Sequence, residues 1–175
     1  MSIVKADNWA NSTGETYNTI LQLAEGTSTT TFSVTNPNGV YSETPLNVTI
    51  TTKKANSRFY IICSNQCYST TFNNGWNIAF TRKIGSGADV FIAGRSGAAG
   101  GASDSDSWMG FGHSGGPANS SWTRTRTAFD EPAQPKGTTL TYKLWFGGWT
   151  TAGVGWSHYP GYNQTSRIHV MEIAA

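Results

Sequence analysis

Charge is scarce in this 175-residue sequence: Asp, Glu, Lys and Arg make up 13% of it, about half the usual share of a soluble protein. The 12 basic and 10 acidic side chains are spread along the chain and leave a net charge of +2. Without a basic run to track phosphates, a nucleic-acid surface has no electrostatic support. Long hydrophobic stretches are missing as well. The apolar run Phe59–Cys63 falls far short of the roughly 20 residues a membrane helix requires. The opening Met1-Ser2-Ile3-Val4-Lys5-Ala6-Asp7 has no signal-peptide h-region, so synthesis in a cytoplasm without membrane insertion is expected. Cysteine is limited to Cys63 and Cys67. On a continuous strand these would face one side about 13 Å apart, beyond disulfide reach, and without further His or Cys ligands they make a poor zinc site. Two unpaired thiols are expected, one or both packed as small hydrophobes.

Aromatics and small polar residues are abundant instead. Seven Trp, seven Tyr, eight Phe and 20 Gly accompany many Thr, Ser and Asn, which suit strands and turns better than helix surfaces. The length permits one domain with a continuous core and is too short for two domains and a linker. Period-two alternation is clearest in Leu46, Val48 and Ile50 against Asn47, Thr49 and Thr51. It recurs from Phe32, over 76–84 and 89–93 across Gly85-Ser86-Gly87, over 122–129, in Leu140, Tyr142, Leu144 and Phe146, and around Ile168 and Val170. The run Phe59–Cys63 predicts a central strand covered on both faces. About eight strands and no convincing helix predict an all-β fold, an antiparallel jelly-roll-like β-sandwich over residues 28–175. Residues 1–27 show neither helical period nor alternation. They are expected to form an extended N-terminal docking arm, with Trp9, Ile20, Leu21 and Leu23 to lay against a partner.

Chemistry-bearing residues are present without a convincing arrangement. Ser114 beside His113, near Asp104 and Asp106, occupies a Gly-rich stretch at 94–121 that lacks a nucleophile elbow. Carboxylates for glycoside cleavage could be drawn from Asp89, Asp104, Asp106, Asp130, Glu131 and Glu172, but turn and cap roles account for such a set equally well. His113, His158 and His169 form no ligand cluster, so no metal or other cofactor is expected. The aromatic segment stands out. Trp145, Trp149, Trp156, Tyr159 and Tyr162 are interleaved with glycines, and Trp108 and Trp122 lie upstream. Such rings either contact a ligand or partner, by stacking on sugars or filling protein pockets, or simply fill the open ends of a sandwich.

Several motifs resemble a known family. Thr125-Arg126-Thr127-Ala128-Phe129-Asp130-Glu131-Pro132, Thr138-Thr139-Leu140-Thr141-Tyr142-Lys143-Leu144 and the closing Ser166-Arg167-Ile168-His169-Val170-Met171-Glu172-Ile173-Ala174-Ala175 are similar to the β-sandwich domain that ends many tail-fibre and virion-surface proteins of tailed phages, especially cyanophages. Leu46–Thr51 followed by Ser57–Ile62 resembles that family's first strand pair, and Val4-Lys5-Ala6-Asp7 with Gly14 its opening. The resemblance implies a non-enzymatic virion component, a homotrimer whose packing hides apolar strand faces. Its partners would be tail, baseplate or major capsid proteins and host surface polysaccharide. The long stretch 94–121 and the Trp-rich segment 145–162 depart from the family's pattern. Three roles follow: a receptor-binding tail-fibre protein contacting host glycans through aromatic loops, a capsid decoration protein clamping capsid subunits, or a free lectin.

Overall fold

The computed structural model describes residues 19–34, 41–69, 76–93, 120–148, 156–158 and 165–175. Their strands are β1 (Ile20–Ser28), β2 (Phe32–Val34), β3 (Tyr41–Thr51), β4 (Arg58–Ser69), β5 (Trp76–Ile84), β6 (Asp89–Ala93), β7 (Ser120–Asp130), β8 (Thr139–Gly148), β9 (Trp156–His158) and β10 (Ser166–Ile173). All pairings among them are antiparallel.

The ten strands reduce to eight lanes. β7 follows one edge of β4 from Phe59 to Ser69, while β10 and then β9 occupy the other, pairing Arg58–Ser64 and Cys67–Ser69. On their far side, β1 pairs with β10 and β2 with β9. Thus β1 and β2 form one interrupted lane, as do β9 and β10. In chain order the lanes of the first sheet run 1-8-3-6 and those of the second (β3-β8-β5-β6) run 2-7-4-5. This is jelly-roll topology, in agreement with the jelly-roll-like sandwich expected from the sequence.

The core lies between the sheets. Leu46, Val48 and Ile50 from β3, Phe59, Ile61 and Cys63 from β4, and Ile78 and Phe80 from β5 are buried there, with Leu140, Tyr142, Leu144 and Phe146 from β8 and Ile168 and Val170 from β10. Cys63 is a free thiol among them, and burial pushes its pKa up.

Two sequence expectations are corrected. Residues 20–27 are a strand and not part of an arm. β1 pairs with β10 from Ile20 opposite Ile173 to Ser28 opposite Ser166. A register shift between Ile20 and Gln22 breaks the alternation, and β1 carries small Ala24 and Gly26 opposite Val170 and Ile168 of β10, so no apolar period shows. Ile20 and Leu23 are exposed on this strand and Leu21 is half-buried, while Trp9 lies outside the described residues. The second correction concerns β4. Its Phe59, Ile61 and Cys63 are buried, but Tyr60 and Ile62 on the other face are only half-covered.

Charged groups enter the sandwich interior as structural ties. Asp130 accepts hydrogen bonds from Arg82 Nη1 at 2.6 Å and from the Tyr142 hydroxyl at 2.8 Å, and Arg126 Nη1 donates to the Ile78 carbonyl at 2.7 Å. Burial, the Asp130 charge and its hydrogen bond raise the Tyr142 phenol well above its ordinary value. The folded state therefore keeps a proton that the unfolded chain releases near pH 10, so stability falls as pH rises past that point. The expected slope from this group is about 1.4 kcal/mol per pH unit. Tyr142→Phe should lose stability less steeply than wild type between pH 10 and 11.5 by roughly that amount, measured by urea titration across pH. Parallel profiles would show that the phenol is not the group held neutral.

Candidate functional site

The two ends of the sandwich differ in kind. Turns 52–57, 85–88 and 131–138 lie at one end, together with Thr19, whose carbonyl accepts from the Ala174 amide at 2.9 Å. These connections are short and hydrogen-bonded: Asn56 takes a left-handed φ of 57°, Gly85 one of 52°, and the Thr52 and Gly137 amides close on the Thr138 and Thr52 carbonyls at 2.9 Å. The strands flanking 35–40, 70–75, 94–119 and 149–155 begin or end at the opposite end. Sandwiches place variable, ligand-contacting connections at such an end, because rigid strands position them without burying their backbone.

Two of the sequence-predicted aromatics stand on strands near that second end. Trp122 on β7 stands opposite Cys67 of β4, and Trp156 on β9 opposite Ser69 and Val34. Trp108 and Trp149 belong to two of the connections leaving this end. Trp108, Trp149, Tyr159 and Tyr162 themselves lie outside the described residues, as do Asp104, Asp106, His113 and Ser114.

Trp145 has a different setting, on the outer face of the second sheet. Its indole N–H donates to Thr81 Oγ1 at 2.8 Å, and its ring packs 5.8 Å from Phe91, which lies 5.7 Å from Tyr41. Beside it the Lys143 ammonium sits 3.0 Å from Glu43 Oε1 and 3.1 Å from Asp89 Oδ2. Burial acts to lower the Lys143 pKa, but hydrogen bonds to both carboxylates and their charges outweigh it and leave it raised. Trp145 thus roofs its own sheet, and the neighbouring Lys143 is held by two carboxylates. Asp89 has a structural partner here, and Asp130, Glu131 and Glu172 have theirs elsewhere in the fold.

Sequence reasoning missed the outer face of the first sheet. Strand register aligns Leu23, Met171, Tyr60 and Phe129 in one row across β1, β10, β4 and β7. Ile20 and Ile173 pair beside that row, and Ile62 follows Tyr60 on the same face. Ile20, Leu23 and Phe129 each keep 59% of their surface exposed. The Tyr60 and Phe129 rings stack at 4.6 Å, and the Arg58 guanidinium lies 5.8 Å from the Phe129 centroid. Arg58 and Glu131 pair at 2.6 Å and also line a shallow depression with Asn56, Ala133 and Ala175. The signal for this face was the unbroken apolar run of β4, which has too many apolar residues for a strand with one wet side.

No family model matches this chain, and no curated protein matches it. Among solved structures, one of the infectious bursal disease virus Gx strain aligns over 100% of this chain and 37% of its own, with 12% identity and a TM-score of 0.37. Another, the VP2 subviral particle of infectious bursal disease virus, aligns over 99% of this chain and 43% of its own, at 9% identity and a TM-score of 0.32. The chain therefore spans less than half the length of either. Both neighbours are viral and neither is described as a tail-fibre protein. At these scores neither bears on function.

Proposed function

We propose that this chain is a non-enzymatic virion structural protein of the tail-fibre, receptor-binding type, a homotrimer that contacts host surface glycans through its aromatic end. The observation that carries the reading is the polarity of the sandwich. Residues 1–18 lead into β1 beside the short turns, whereas the Trp-bearing connections leave from the other end. A protein that docks by one end and reads a surface with the other needs this separation. Jelly rolls recur in viral capsid and lectin domains, and the family motifs around Asp130 and at residues 166–175 support the virion setting. Fold alone decides no function, so the aromatic end is the part to test.

Immunogold labelling of intact particles tests the place. Label at the tail or its fibres is expected, and label over the head would replace this reading by capsid decoration. Binding to host polysaccharide should fall about tenfold or more in Trp149→Ala and in Trp156→Ala, the cost of removing one stacked anchor, with circular dichroism unchanged. Absence of glycan binding by the wild type would sink the receptor reading and the lectin alternative together. Docking is tested by deleting residues 1–18, since residues 20–27 are β1 and their removal would damage the sheet.

A further inference from the structure

We infer that the outer face of the β1-β10-β4-β7 sheet is the contact surface between copies of this chain. The inference rests on the trimer in the proposed function and not on the virion role.

Four observations lead there. The row Leu23, Met171, Tyr60 and Phe129 crosses the full width of the sheet in register, so the apolar surface is continuous and not a scatter of single residues. Continuous exposed apolar surface on a folded domain marks an interaction site. β4, the strand at the middle of this face, has the composition of a strand covered on both sides, yet among the described residues its outward Tyr60 and Ile62 are only half-covered. Something outside the described fold must supply the other cover.

The shape of the surface narrows what that is. The neighbouring edge is closed to an added strand. Gly26 of β1 lies so near the β3 backbone that an added Cβ would stand 1.9 Å from the Asn47 carbonyl oxygen, and Gln22 Nε2 donates to the Thr51 carbonyl at 2.6 Å. A peptide adding to the sheet by its edge therefore finds no place at β1. On that side a flat face remains, which packs best on another flat apolar face about 10 Å away.

Charge then selects the occupant. The charged side chains at the margins are Arg58 with Glu131 at one corner and Arg167 with Glu25 at the other, each an ion pair within the face. Two cations and two anions leave the surface neutral, with no sign to select an acidic or basic partner. A neutral face with both signs at each corner can meet an identical copy without like-charge repulsion. Three copies turning this face towards a common axis would bury Phe129 and Leu23 against their neighbours.

Light scattering on the eluting full-length protein at tens of micromolar should give three times the 18.8 kDa chain mass. The double variant Leu23→Thr, Phe129→Thr keeps strand propensity and removes the apolar centre. It should elute at 18.8 kDa with an unchanged far-ultraviolet spectrum, its dissociation constant raised about 100-fold or more. Val90→Thr, on β6 and 51% exposed, is the control and should leave the mass unchanged. Should the double variant fail to fold, hydroxyl-radical footprinting of the wild type decides. Met171, Tyr60 and Phe129 should be protected at high concentration and oxidised on dilution. A wild type that stays at the chain mass, a folded double variant that keeps the oligomer, or equal oxidation at both concentrations would overturn the inference. A twofold mass with loss of assembly in the double variant would keep this face as the contact and remove only the threefold arrangement.

Discussion

Gly26→Ala is expected to destabilise the fold by about 3 kcal/mol, the upper range for overpacking a close contact. The added Cβ would stand 1.9 Å from the Asn47 carbonyl oxygen, 2.8 Å from its carbon and 3.0 Å from Ile168 Cγ2. The first two atoms are backbone, so no rotamer change relieves the clash. β1 must move away from β3, and these are the lanes by which the two sheets meet along one side of the sandwich. The movement also pulls Gln22 from the Thr51 carbonyl. In a domain of this size the midpoint of thermal unfolding should fall by roughly 6–12 °C. Gly85→Ala is the comparison. Gly85 has a φ of +52° but nothing within 4 Å of the added methyl, so its cost is the backbone term alone, about 1 kcal/mol. If both variants lost the same amount, the close approach of β1 to β3 would be wrong.

The second large effect is expected at Glu172. This carboxylate is fully buried at the end of the inward row that begins with Ser166, Ile168 and Val170. Its Oε1 accepts from the Lys53 and Lys54 amides at 2.8 and 3.2 Å, and its Oε2 from the Lys53 amide at 3.0 Å and Gln22 Nε2 at 2.5 Å. One side chain on β10 thereby fastens the β3–β4 turn and the edge strand β1. Glu172→Ala leaves the Lys53 and Lys54 amides without this acceptor, leaves Gln22 Nε2 with the Thr51 carbonyl alone and opens a void, at a cost of about 3 kcal/mol. Glu172→Gln keeps the shape and one acceptor oxygen, and should fall about midway. Urea unfolding of the three proteins tests the order wild type, Glu172→Gln, Glu172→Ala. Equal stabilities would mean that the turn is held by its own backbone. The same residue stood among possible glycosidase carboxylates in the sequence, and its four hydrogen bonds now account for it without any reaction.

Much of the fold is legible because the chain alternates wherever one face is buried and the other wet. Leu46-Asn47-Val48-Thr49-Ile50-Thr51 and Leu140–Phe146 declare their inward residues directly, and the Gly85-Ser86-Gly87 turn has the conformational freedom its position requires. Recognition of β1 fails for a reason of packing. Its inward side meets another backbone, so it carries small residues, and the register shift after Ile20 breaks the count. β9 is a three-residue strand within a Gly- and Trp-rich segment, too short for a period to show. Trp145 illustrates the converse. In sequence it belongs with the ligand-seeking aromatics, whereas in the fold its N–H is already satisfied by Thr81.

Composition and alternation by themselves determined that this protein is an all-β sandwich with a Leu-, Ile-, Val- and Phe-lined interior, because a period of two and a shortage of charge leave few other ways to bury these side chains. The tertiary structure alone decided which strands became neighbours. Pairing partners lie far apart in the chain, 150 residues at Gln22 and Glu172, and no local pattern specifies them. That long-range register sends the long connections to one end and the short turns to the other. It also turns one residue from each of four strands into a single apolar row, a surface with no counterpart in the order of the chain.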